Sequence, residues 1–284
     1  MNSCVFPVAG FGTRFLPYTK STPKELLPIL NKPIIHYAVE EAHEAGLNEM
    51  ILIDSENKQS LREYFTPGSY IDKALVNSPK SSMLNDLNQL IGQCNFTFIK
   101  QRKMLGLGHA IYQAKESIKN ESFAVILPDD FCLSSSKSVI QQMREIQKLY
   151  PGYCIVAVEE VDKSLVHNYG VISVQEKMDD LSSLNSGEIF LVDNMIEKPS
   201  VEESPSNLAI IGRYILTKEI FDKLEIVKPD VHNEIQITNA LKMLCSEKKV
   251  LAYKFIGKRF DCGNTKGHLG ACLEVAKKNF FLRW

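Results

Sequence analysis

A glycine-rich turn followed by basic residues is the strongest chemical signal in the sequence. The string Gly10-Phe11-Gly12-Thr13-Arg14 comes directly after an apolar segment at 3–8 that is predicted to be a buried strand, and Lys20, Lys24 and Glu25 follow closely. Glycines allow backbone N–H groups to approach phosphate oxygens without side-chain hindrance, and Arg14 and Lys24 add positive charge. The turn is therefore a candidate phosphate-binding site.

The spacing of this turn excludes two better-known phosphate loops. A Rossmann dinucleotide fingerprint requires a third glycine three positions after Gly12, where the chain has Phe15, and the Walker A motif requires Gly-Lys-Ser/Thr, which the sequence lacks. An isolated Gly-x-Gly is more often a structural strand-to-loop turn than a phosphate site. The surrounding residues must therefore decide between these interpretations.

Two adjacent carboxylates, Asp129 and Asp130, close an apolar segment that is predicted to be a strand at 123–128. Open α/β sheets bind ligands at the carboxyl ends of their strands, so these side chains are expected at a ligand-binding edge. Carboxylate oxygens suit Mg²⁺, which usually takes one or two of them and completes its shell with phosphate and water. Taken alone, the pair is explained equally well as a helix N-cap or a turn.

Three other polar residues allow both a functional and a structural interpretation. Lys198 precedes Pro199 at the end of a predicted strand and could be an ordinary surface cation. Gln101 could simply be the polar residue that ends the strand at 96–100. The six histidines show no metal-ligand spacing, and His109, beside Gly108 at a helix start, is interpreted as structural.

The longer sequence resembles the nucleotidyltransferases that make nucleotide sugars, and specifically the bacterial UTP:glucose-1-phosphate uridylyltransferases. The first matching segment runs from Gly10 to Pro28 and continues with Asn31-Lys32-Pro33. Further matches follow in the family's order over nearly the whole chain: Gln101 with Leu105–Ala110, Leu127–Asp130, Asn168–Ile172, Glu197–Pro199, Gly212–Tyr214, Asn233–Thr238 and Asp261–Gly263. The segments at about 66–93 and 179–187 carry no matching motif.

This resemblance implies a role for each matched residue. Arg14, Lys24, Asp130 and Lys198 would be catalytic, and Asp130 with the distant Asp261 would hold Mg²⁺. The nucleotide is expected at Ala9, Gly10, Gly12, Thr13, Arg14, Lys24, Glu25, Gln101, Gly106 and Asp129. The sugar phosphate is expected at Gly170, Glu197, Lys198 and Gly212.

The resemblance also places the uracil base. Its ring is expected against the backbone of Ala9 and Gly10, with Gln101 and Gly106 at its edge and Glu25 near the nucleoside. A glutamine amide carries one donor group and one acceptor group, which suits the imide edge of a pyrimidine.

The implied reaction is a direct in-line attack. A phosphate oxygen of glucose-1-phosphate would attack the α-phosphorus of UTP, and pyrophosphate would leave without a covalent enzyme intermediate. Three alternatives stay open: a relative that uses another nucleotide or sugar such as dTTP or galactose-1-phosphate, a non-catalytic nucleotide-sugar sensor, and a nicotinamide oxidoreductase. The missing third glycine counts against the last.

Alternating apolar segments and helical periodicity predict an α/β fold with a Rossmann-like, doubly wound sheet that is mixed but mostly parallel. Strand-like segments after residue 150 predict a smaller β-rich lobe, which the resemblance assigns to the sugar. The chain is expected to be one nucleotidyltransferase domain over 1–284. Its nucleotide-binding half would be 1–150, and its sugar-phosphate-binding half, with the C-terminal helix, would be 151–284.

Composition narrows the class of protein. The 33 Lys and Arg against 34 Asp and Glu leave a formal charge of -1, which does not favour a general nucleic-acid binder. Seven scattered cysteines without a Cys-x-x-Cys pair predict reduced thiols, and no signal peptide or membrane span is recognisable. We therefore expect a cytoplasmic protein without nucleic-acid or membrane partners.

Two segments outside the motifs have weaker interpretations. The polar insertion at about 66–93 is predicted to cover the sheet, and a mobile flap near the nucleotide is one hypothesis for it. The basic, aromatic tail at 277–284 is expected to pack as a last helix or to form a subunit contact, and the resemblance implies a homodimer or homotetramer.

Overall fold

The computed structural model describes residues 1–178 and 187–278 of the chain. Thirteen strands lie within these ranges: β1 (Ser3–Pro7), β2 (Pro28–Ile29), β3 (Lys32–Pro33), β4 (Glu49–Asp54), β5 (Asn95–Lys100), β6 (Ser122–Ile126), β7 (Asp130–Leu133), β8 (Cys154–Glu160), β9 (Gly170–Lys177), β10 (Glu188–Glu197), β11 (Leu208–Thr217), β12 (Val250–Lys254) and β13 (Lys258–Asp261). Nine α-helices accompany them: α1 (Ile34–Glu44), α2 (Gln59–Tyr64), α3 (Tyr70–Leu75), α4 (Asn85–Gln93), α5 (Gly106–Tyr112), α6 (Val139–Leu149), α7 (Glu219–Ile226), α8 (Ile237–Ser246) and α9 (Thr265–Ala276).

Nine of the strands form one sheet in the order β5-β4-β1-β6-β11-β8-β12-β10-β9. The N-terminal strands β5, β4, β1 and β6 are parallel, as is the pair β8 and β12. The pairs formed by β11 with β6 and β8, and by β10 with β12 and β9, are antiparallel. A mixed sheet was expected, but parallel pairing does not predominate in it.

The β-rich second half extends the same sheet and does not form a separate one. Strand β11 is the link, because it pairs with β6 on one side and with β8 on the other. Strands β9 and β10, where the sugar phosphate was expected, therefore lie in one continuous sheet with the N-terminal strands.

Helices cover both faces of this sheet, and alternate residues of β1 show the division. Phe6 packs in the core beneath α1 and α6, whereas Val5 packs in the core beneath α5, α7 and α8. A third, smaller core lies under α9, where Phe15 and Ile29 meet Phe131 and Cys262. The short hairpin β2–β3 and the two-stranded antiparallel pair β7–β13 stand outside the main sheet.

The segment between β1 and α1 is built from short 3₁₀ turns at Thr13–Phe15, Tyr18–Lys20 and Lys24–Leu26. The insertion at 66–93 contains α3, a 3₁₀ segment at Pro79–Leu84 and α4, whose Leu90 packs against the core.

Within the described residues, no helix is both long enough and apolar enough to span a bilayer. All seven cysteines are free thiols. The predicted acidic loop at 179–187, apart from Gly187, and the end of the predicted tail from residue 279 lie outside the described residues.

Candidate active site

The glycine-rich turn and the aspartate pair meet at one edge of the sheet. They follow β1 and β6, which are adjacent and parallel, so both strands deliver their C-terminal loops to the same edge. Ala9 is buried at the start of the turn, whereas Gly10 and Thr13 are exposed. A Cβ atom on Gly10 would meet no atom within 4 Å, so the surface there is open to a ligand.

Gly12 is required by the shape of the turn. Its φ of 65° lies in the left-handed region, and a Cβ atom there would stand 2.9 Å from Cβ of Lys24. The Thr19 hydroxyl donates a hydrogen bond to the Gly12 carbonyl at 2.8 Å. The turn is thus packed directly on the lysine that the sequence analysis singled out.

Lys24 and Asp129 form an ion pair across this edge, with Nζ 2.5 Å from Oδ2. Burial lowers the pKa of Lys24, but the charges of Asp129 and Glu25 outweigh it, so the pKa is raised. Burial raises the pKa of Asp129, but Lys24 outweighs it, and the pKa is lowered. Both groups are therefore held in their charged forms.

Arg14 completes the cationic side of this edge. A Cβ atom on Gly263 would lie 3.4 Å from its Nη1 and 3.3 Å from Oδ2 of Asp129, so the guanidinium lies close to that carboxylate. Two cations from the glycine-rich segment therefore lie beside the first aspartate of the pair, where they can contact phosphate oxygens.

Asp130 and Asp261 are cross-strand partners in the antiparallel pair of β7 and β13. Oδ2 of Asp130 accepts a hydrogen bond from the Gly212 amide at 2.7 Å, and its Oδ1 lies 2.6 Å from Nη1 of Arg259. Oδ1 of Asp261 accepts from the Gly263 amide, and its Oδ2 accepts from the Asn264 amide group, both at 2.9 Å. These contacts fix the orientation of both carboxylates.

This carboxylate pair fits a magnesium site. Burial raises the pKa of Asp130, the Arg259 charge opposes the rise, and the neighbouring Asp129 and Asp261 charges reinforce it. A divalent cation would relieve this repulsion. No group of three or more His, Cys, Asp or Glu residues suited to a metal occurs in the described ranges, but Mg²⁺ needs only one or two carboxylates when phosphate supplies the rest.

Gly212 is explained by its contact with the same aspartate. A Cβ atom at this position would lie 2.5 Å from Cβ of Leu127 and 2.9 Å from Oδ2 of Asp130. The next residue, Arg213, is 2% exposed and forms a buried ion pair with Glu41 at 2.8 Å. Its Nη1 also donates to the carbonyls of Leu127 and Gly212, so this pair supports the turn that carries Asp130.

Arg259 links Asp130 to the residues around Tyr169. Besides Asp130, it contacts Glu159, and its Nη2 donates to the Tyr169 hydroxyl at 3.0 Å. The guanidinium also lies 5.0 Å from the centre of the Tyr169 ring. The Tyr169 carbonyl in turn accepts a hydrogen bond from the backbone of Lys198 at 2.9 Å.

The residues predicted to bind the sugar phosphate cluster around Glu197. The Thr238 hydroxyl donates to Oε2 of Glu197 at 2.6 Å, and a Cβ atom on Gly170 would stand 3.0 Å from that hydroxyl and 3.2 Å from that carboxylate oxygen. Lys198 has a left-handed backbone with φ of 45°, its side chain is 54% exposed, and Nζ lies 3.8 Å from Oε1 of Glu197. The lysine is therefore free to meet a ligand.

Gln101 and Gly106 are also in contact. The Gln101 amide nitrogen donates to the Gly106 carbonyl at 3.3 Å and lies 2.9 Å from Nδ1 of His109. Gly106 has φ of 89°, and a Cβ atom there would lie 3.0 Å from the Ile235 carbonyl.

Glu25 is almost inaccessible, at 2% exposure, and its Oε2 pairs with Nζ of Lys58 at 2.7 Å. Its Oε1 is buried without a hydrogen-bond partner in the described chain. Burial raises the pKa of Glu25 although Lys58 and Lys24 oppose the rise, and burial lowers the pKa of Lys58 although Glu25 opposes the fall. A buried carboxylate oxygen without a hydrogen-bond partner is rare in folded proteins.

Sequence analysis assigned no role to five charged residues in these networks: Glu41, Lys58, Glu159, Arg213 and Arg259. Arg213 lies within the matched segment Gly212–Tyr214 and Arg259 lies shortly before Asp261, so this proximity was the available signal. Glu41 and Lys58 carry no such signal, because only the folded chain brings them to their partners.

Comparison with known proteins identifies relatives along the whole chain. A family model described as nucleotidyl transferase matches residues 7–278. A UTP–glucose-1-phosphate uridylyltransferase of Pseudomonas aeruginosa is 47% identical over 274 residues, which cover 95% of this chain and 94% of that protein.

Solved structures give the same result. A crystal structure of apo UDP-glucose pyrophosphorylase matches with a TM-score of 0.90 at 44% identity and covers 99% of this chain and 100% of its own. A UDP-glucose pyrophosphorylase complexed with UDP-glucose matches with a TM-score of 0.87 at 45% identity, covering 98% and 100%. The chain therefore belongs to the nucleotidyl transferase family and, within it, to the UTP–glucose-1-phosphate uridylyltransferases.

Proposed function

We propose that this chain transfers the uridylyl group of UTP to glucose-1-phosphate and releases pyrophosphate. The observation that carries the proposal is the meeting of Lys24 and Arg14 with Asp130 and Asp261 at one edge of the sheet. Phosphoryl-type transfers depend chiefly on positioning of the substrates and on stabilisation of the charge on their phosphates. A cluster of cations beside metal-binding carboxylates can supply both.

Asp130 and Asp261 would hold Mg²⁺ at this edge. Their orientation by backbone amides leaves carboxylate lone pairs for a cation, because an ionised carboxylate has about four acceptor sites. When bound, the metal supplies a Lewis acid that neutralises charge on the phosphate oxygens.

The triphosphate lies on the glycine-rich turn. Backbone N–H groups around Gly10 and Gly12 approach its oxygens, and Thr13 lies in the same exposed turn. Arg14 and Lys24 steady the negative charge at the α-phosphate and on the departing pyrophosphate. Asp129 keeps Lys24 charged and pointed at this edge, since the two groups are 2.5 Å apart.

The sugar phosphate approaches from the side of β9 and β10. Lys198 holds the phosphate whose oxygen attacks, and Glu197 binds sugar hydroxyls with its orientation set by Thr238. Gly170 leaves room for the ring, and Gly212 leaves room for Asp130. The uracil lies against Ala9 and Gly10, with Gln101 and Gly106 at its edge and Glu25 near the nucleoside.

The chain works as one nucleotidyltransferase domain, with residues 1–150 binding the nucleotide and residues 151–284 binding the sugar phosphate. We place the enzyme in the cytoplasm, in keeping with its free thiols. We infer a homodimer or homotetramer.

The test is pyrophosphate release by the purified protein with Mg²⁺ across a grid of nucleoside triphosphates and sugar-1-phosphates, with EDTA as the control. Turnover led by UTP with glucose-1-phosphate and stopped by EDTA supports the proposal. Another leading pair keeps the reaction type and changes the substrate. Binding without release from any pair contradicts the catalytic assignment and supports a nucleotide-sugar sensor.

A further inference from the structure

The orientation of the Gln101 amide is determined by its neighbours. The Gln101 amide nitrogen lies 3.3 Å from the carbonyl oxygen of Gly106. A carbonyl oxygen only accepts hydrogen bonds, so the group that faces it must be the NH₂ and not the other oxygen of the amide. The protein itself therefore fixes which way Gln101 points.

His109 accepts a hydrogen bond from the second hydrogen of that NH₂ group. Its Nδ1 lies 2.9 Å from the Gln101 amide nitrogen, whereas its Nε2 lies 3.3 Å from the Gln113 amide nitrogen. A neutral imidazole accepts a hydrogen bond at only one of its nitrogens, and the shorter contact assigns that role to Nδ1, with the ring proton on Nε2. Burial, together with the charge of Lys103, lowers the pKa of His109 and favours the neutral ring that this contact needs.

The carbonyl of Gly106 is itself held in place. Leu105 accepts a hydrogen bond from the Ile235 amide at 2.7 Å, and the Ile235 carbonyl accepts one from the Gly108 amide at 2.8 Å. These two bonds fasten the loop to the segment before α8 on both sides of Gly106. The Gly106 carbonyl is thus a fixed reference for Gln101.

We propose that His109 is a positioning residue that makes Gln101 present only its carbonyl oxygen to the nucleotide base, and that this selects uracil over cytosine. Both hydrogens of the amide are directed at protein acceptors, Gly106 and His109, and Oε1 has no hydrogen bond from the described part of the chain. Gln101 then acts as an acceptor alone.

The consequence for the base follows from its hydrogen-bonding edge. Uracil carries an N3–H donor, which the Gln101 oxygen accepts. Cytosine carries an unprotonated N3, so its lone pair would face the lone pairs of Oε1, and both groups would be left unpaired. Thymine has the same imide edge as uracil, so this device does not separate UTP from dTTP.

This inference rests on the proposed placement of the base at Gln101, and the test separates the two. The measurement is kcat and KM for UTP and for CTP, each with glucose-1-phosphate. The variants are H109L, which removes the acceptor; H109N, whose Oδ1 stands where Nδ1 does; Q113L, which changes the other neighbour of the ring; and Q101L. Melting temperatures verify that each variant is folded.

In H109L the amide of Gln101 is free to turn and to offer its NH₂ group to the base. The ratio of kcat/KM for UTP over CTP should fall about tenfold or more, with the change expressed in KM, because one unpaired buried polar group costs about 1–3 kcal/mol. H109N and Q113L should keep the wild-type ratio.

A ratio that is unchanged in H109L but reduced in Q101L overturns the role of His109. A ratio unchanged in both variants removes Gln101 from the base site and overturns this inference, while uridylyl transfer by the wild-type enzyme still stands. Equal losses in H109L and H109N would show that the imidazole packs the helix and does not orient the amide, which also overturns the inference.

Discussion

Asp130 and Asp261 lie directly opposite each other on the antiparallel strands β7 and β13, although they are far apart in the sequence. The backbone keeps them there, since the Cys262 amide donates to the Asp129 carbonyl at 2.7 Å. Each carboxylate also accepts a backbone N–H, from Gly212 and from Gly263. The fold thus brings two acids together before any ligand contributes, and this arrangement leads to the first prediction.

The substitution Asp130→Asn should abolish turnover and leave the fold intact. The amide keeps an oxygen that can accept from the Gly212 N–H, but it loses the charge that a divalent cation requires. We expect a fall of at least about 10²-fold in kcat, because a bound metal contributes several kcal/mol of charge stabilisation. The measurements are pyrophosphate release and the melting temperature.

The matched control for this change is Asp193→Asn, which removes an exposed carboxylate on β10. It should leave both readouts at wild-type values. Near-normal activity of the Asp130→Asn variant would remove the metal role of Asp130.

Lys24→Met tests the cation that is proposed to face the triphosphate. Its removal takes away a positive charge at the phosphates and leaves Asp129 without its partner at 2.5 Å. We expect kcat/KM for UTP to fall about 10²–10³-fold, the usual effect of losing one preorganised charge contact. Lys20→Met, on an exposed side chain of the same loop, should change it less than about twofold. Similar losses in both variants would mean that net charge, not position, matters.

Lys198→Met tests the proposed contact with the attacking phosphate. The expected effect is a fall of about 10²–10³-fold in kcat/KM for glucose-1-phosphate, whereas a merely solvated lysine would cause almost none. Lys248→Met is the control, because that residue is also an exposed lysine with a left-handed backbone, at φ of 56° against 45°. If the two variants behave alike, Lys198 does not contact the substrate.

The fold at the nucleotide edge was predictable from the sequence because its signals are local. The apolar segment before Gly10 and the one before Asp129 each predict a buried strand, and strand direction alone sends both loops to one edge. The antiparallel strand β11 between β6 and β8 was not predictable in this way. Its apolar residues, which are almost all buried, predict a strand but do not indicate the direction of that strand or its neighbours in the sheet.

The networks behind the motifs were beyond sequence reasoning for another reason. In the sequence, Glu41 is only one polar position in a helical pattern. In the fold it pairs with Arg213 and also accepts a hydrogen bond from the Ile140 amide at the start of α6. Lys58, at 5% exposure, resembles a surface lysine until Glu25 is known to face it. Such pairs depend on which elements pack together, and periodicity does not encode that information.

The buried pair of Glu25 and Lys58 gives the last prediction, in which stability and activity change in opposite directions. The net effect of burial is a raised pKa for the glutamate and a lowered pKa for the lysine, so the folded chain disfavours both charges. The double variant with Glu25→Met and Lys58→Met replaces the buried ion pair by apolar side chains of similar volume. It should raise the free energy of unfolding by about 1–4 kcal/mol at neutral pH. Its kcat/KM for UTP should fall, because the unpaired oxygen of Glu25 is proposed to meet the nucleoside.

The sign of the pH dependence follows from the same shifts. A carboxyl group whose folded pKa is raised destabilises the fold above that pKa, and the penalty disappears as the pH falls to its unfolded value. A lysine whose folded pKa is lowered destabilises the fold below that pKa, so its penalty persists under acidic conditions. The gain of the double variant should therefore be largest near neutral pH and smaller in mildly acidic solution.

Urea unfolding of the wild type, the double variant and the single variant Lys58→Met measures these differences. The single variant leaves a buried carboxylate without its partner and should be less stable than the wild type by about 3–5 kcal/mol. If the double variant is also less stable than the wild type, the ion pair stabilises the fold, which contradicts the prediction. If the double variant is more stable and as active with UTP as the wild type, Glu25 makes no contact with the nucleotide.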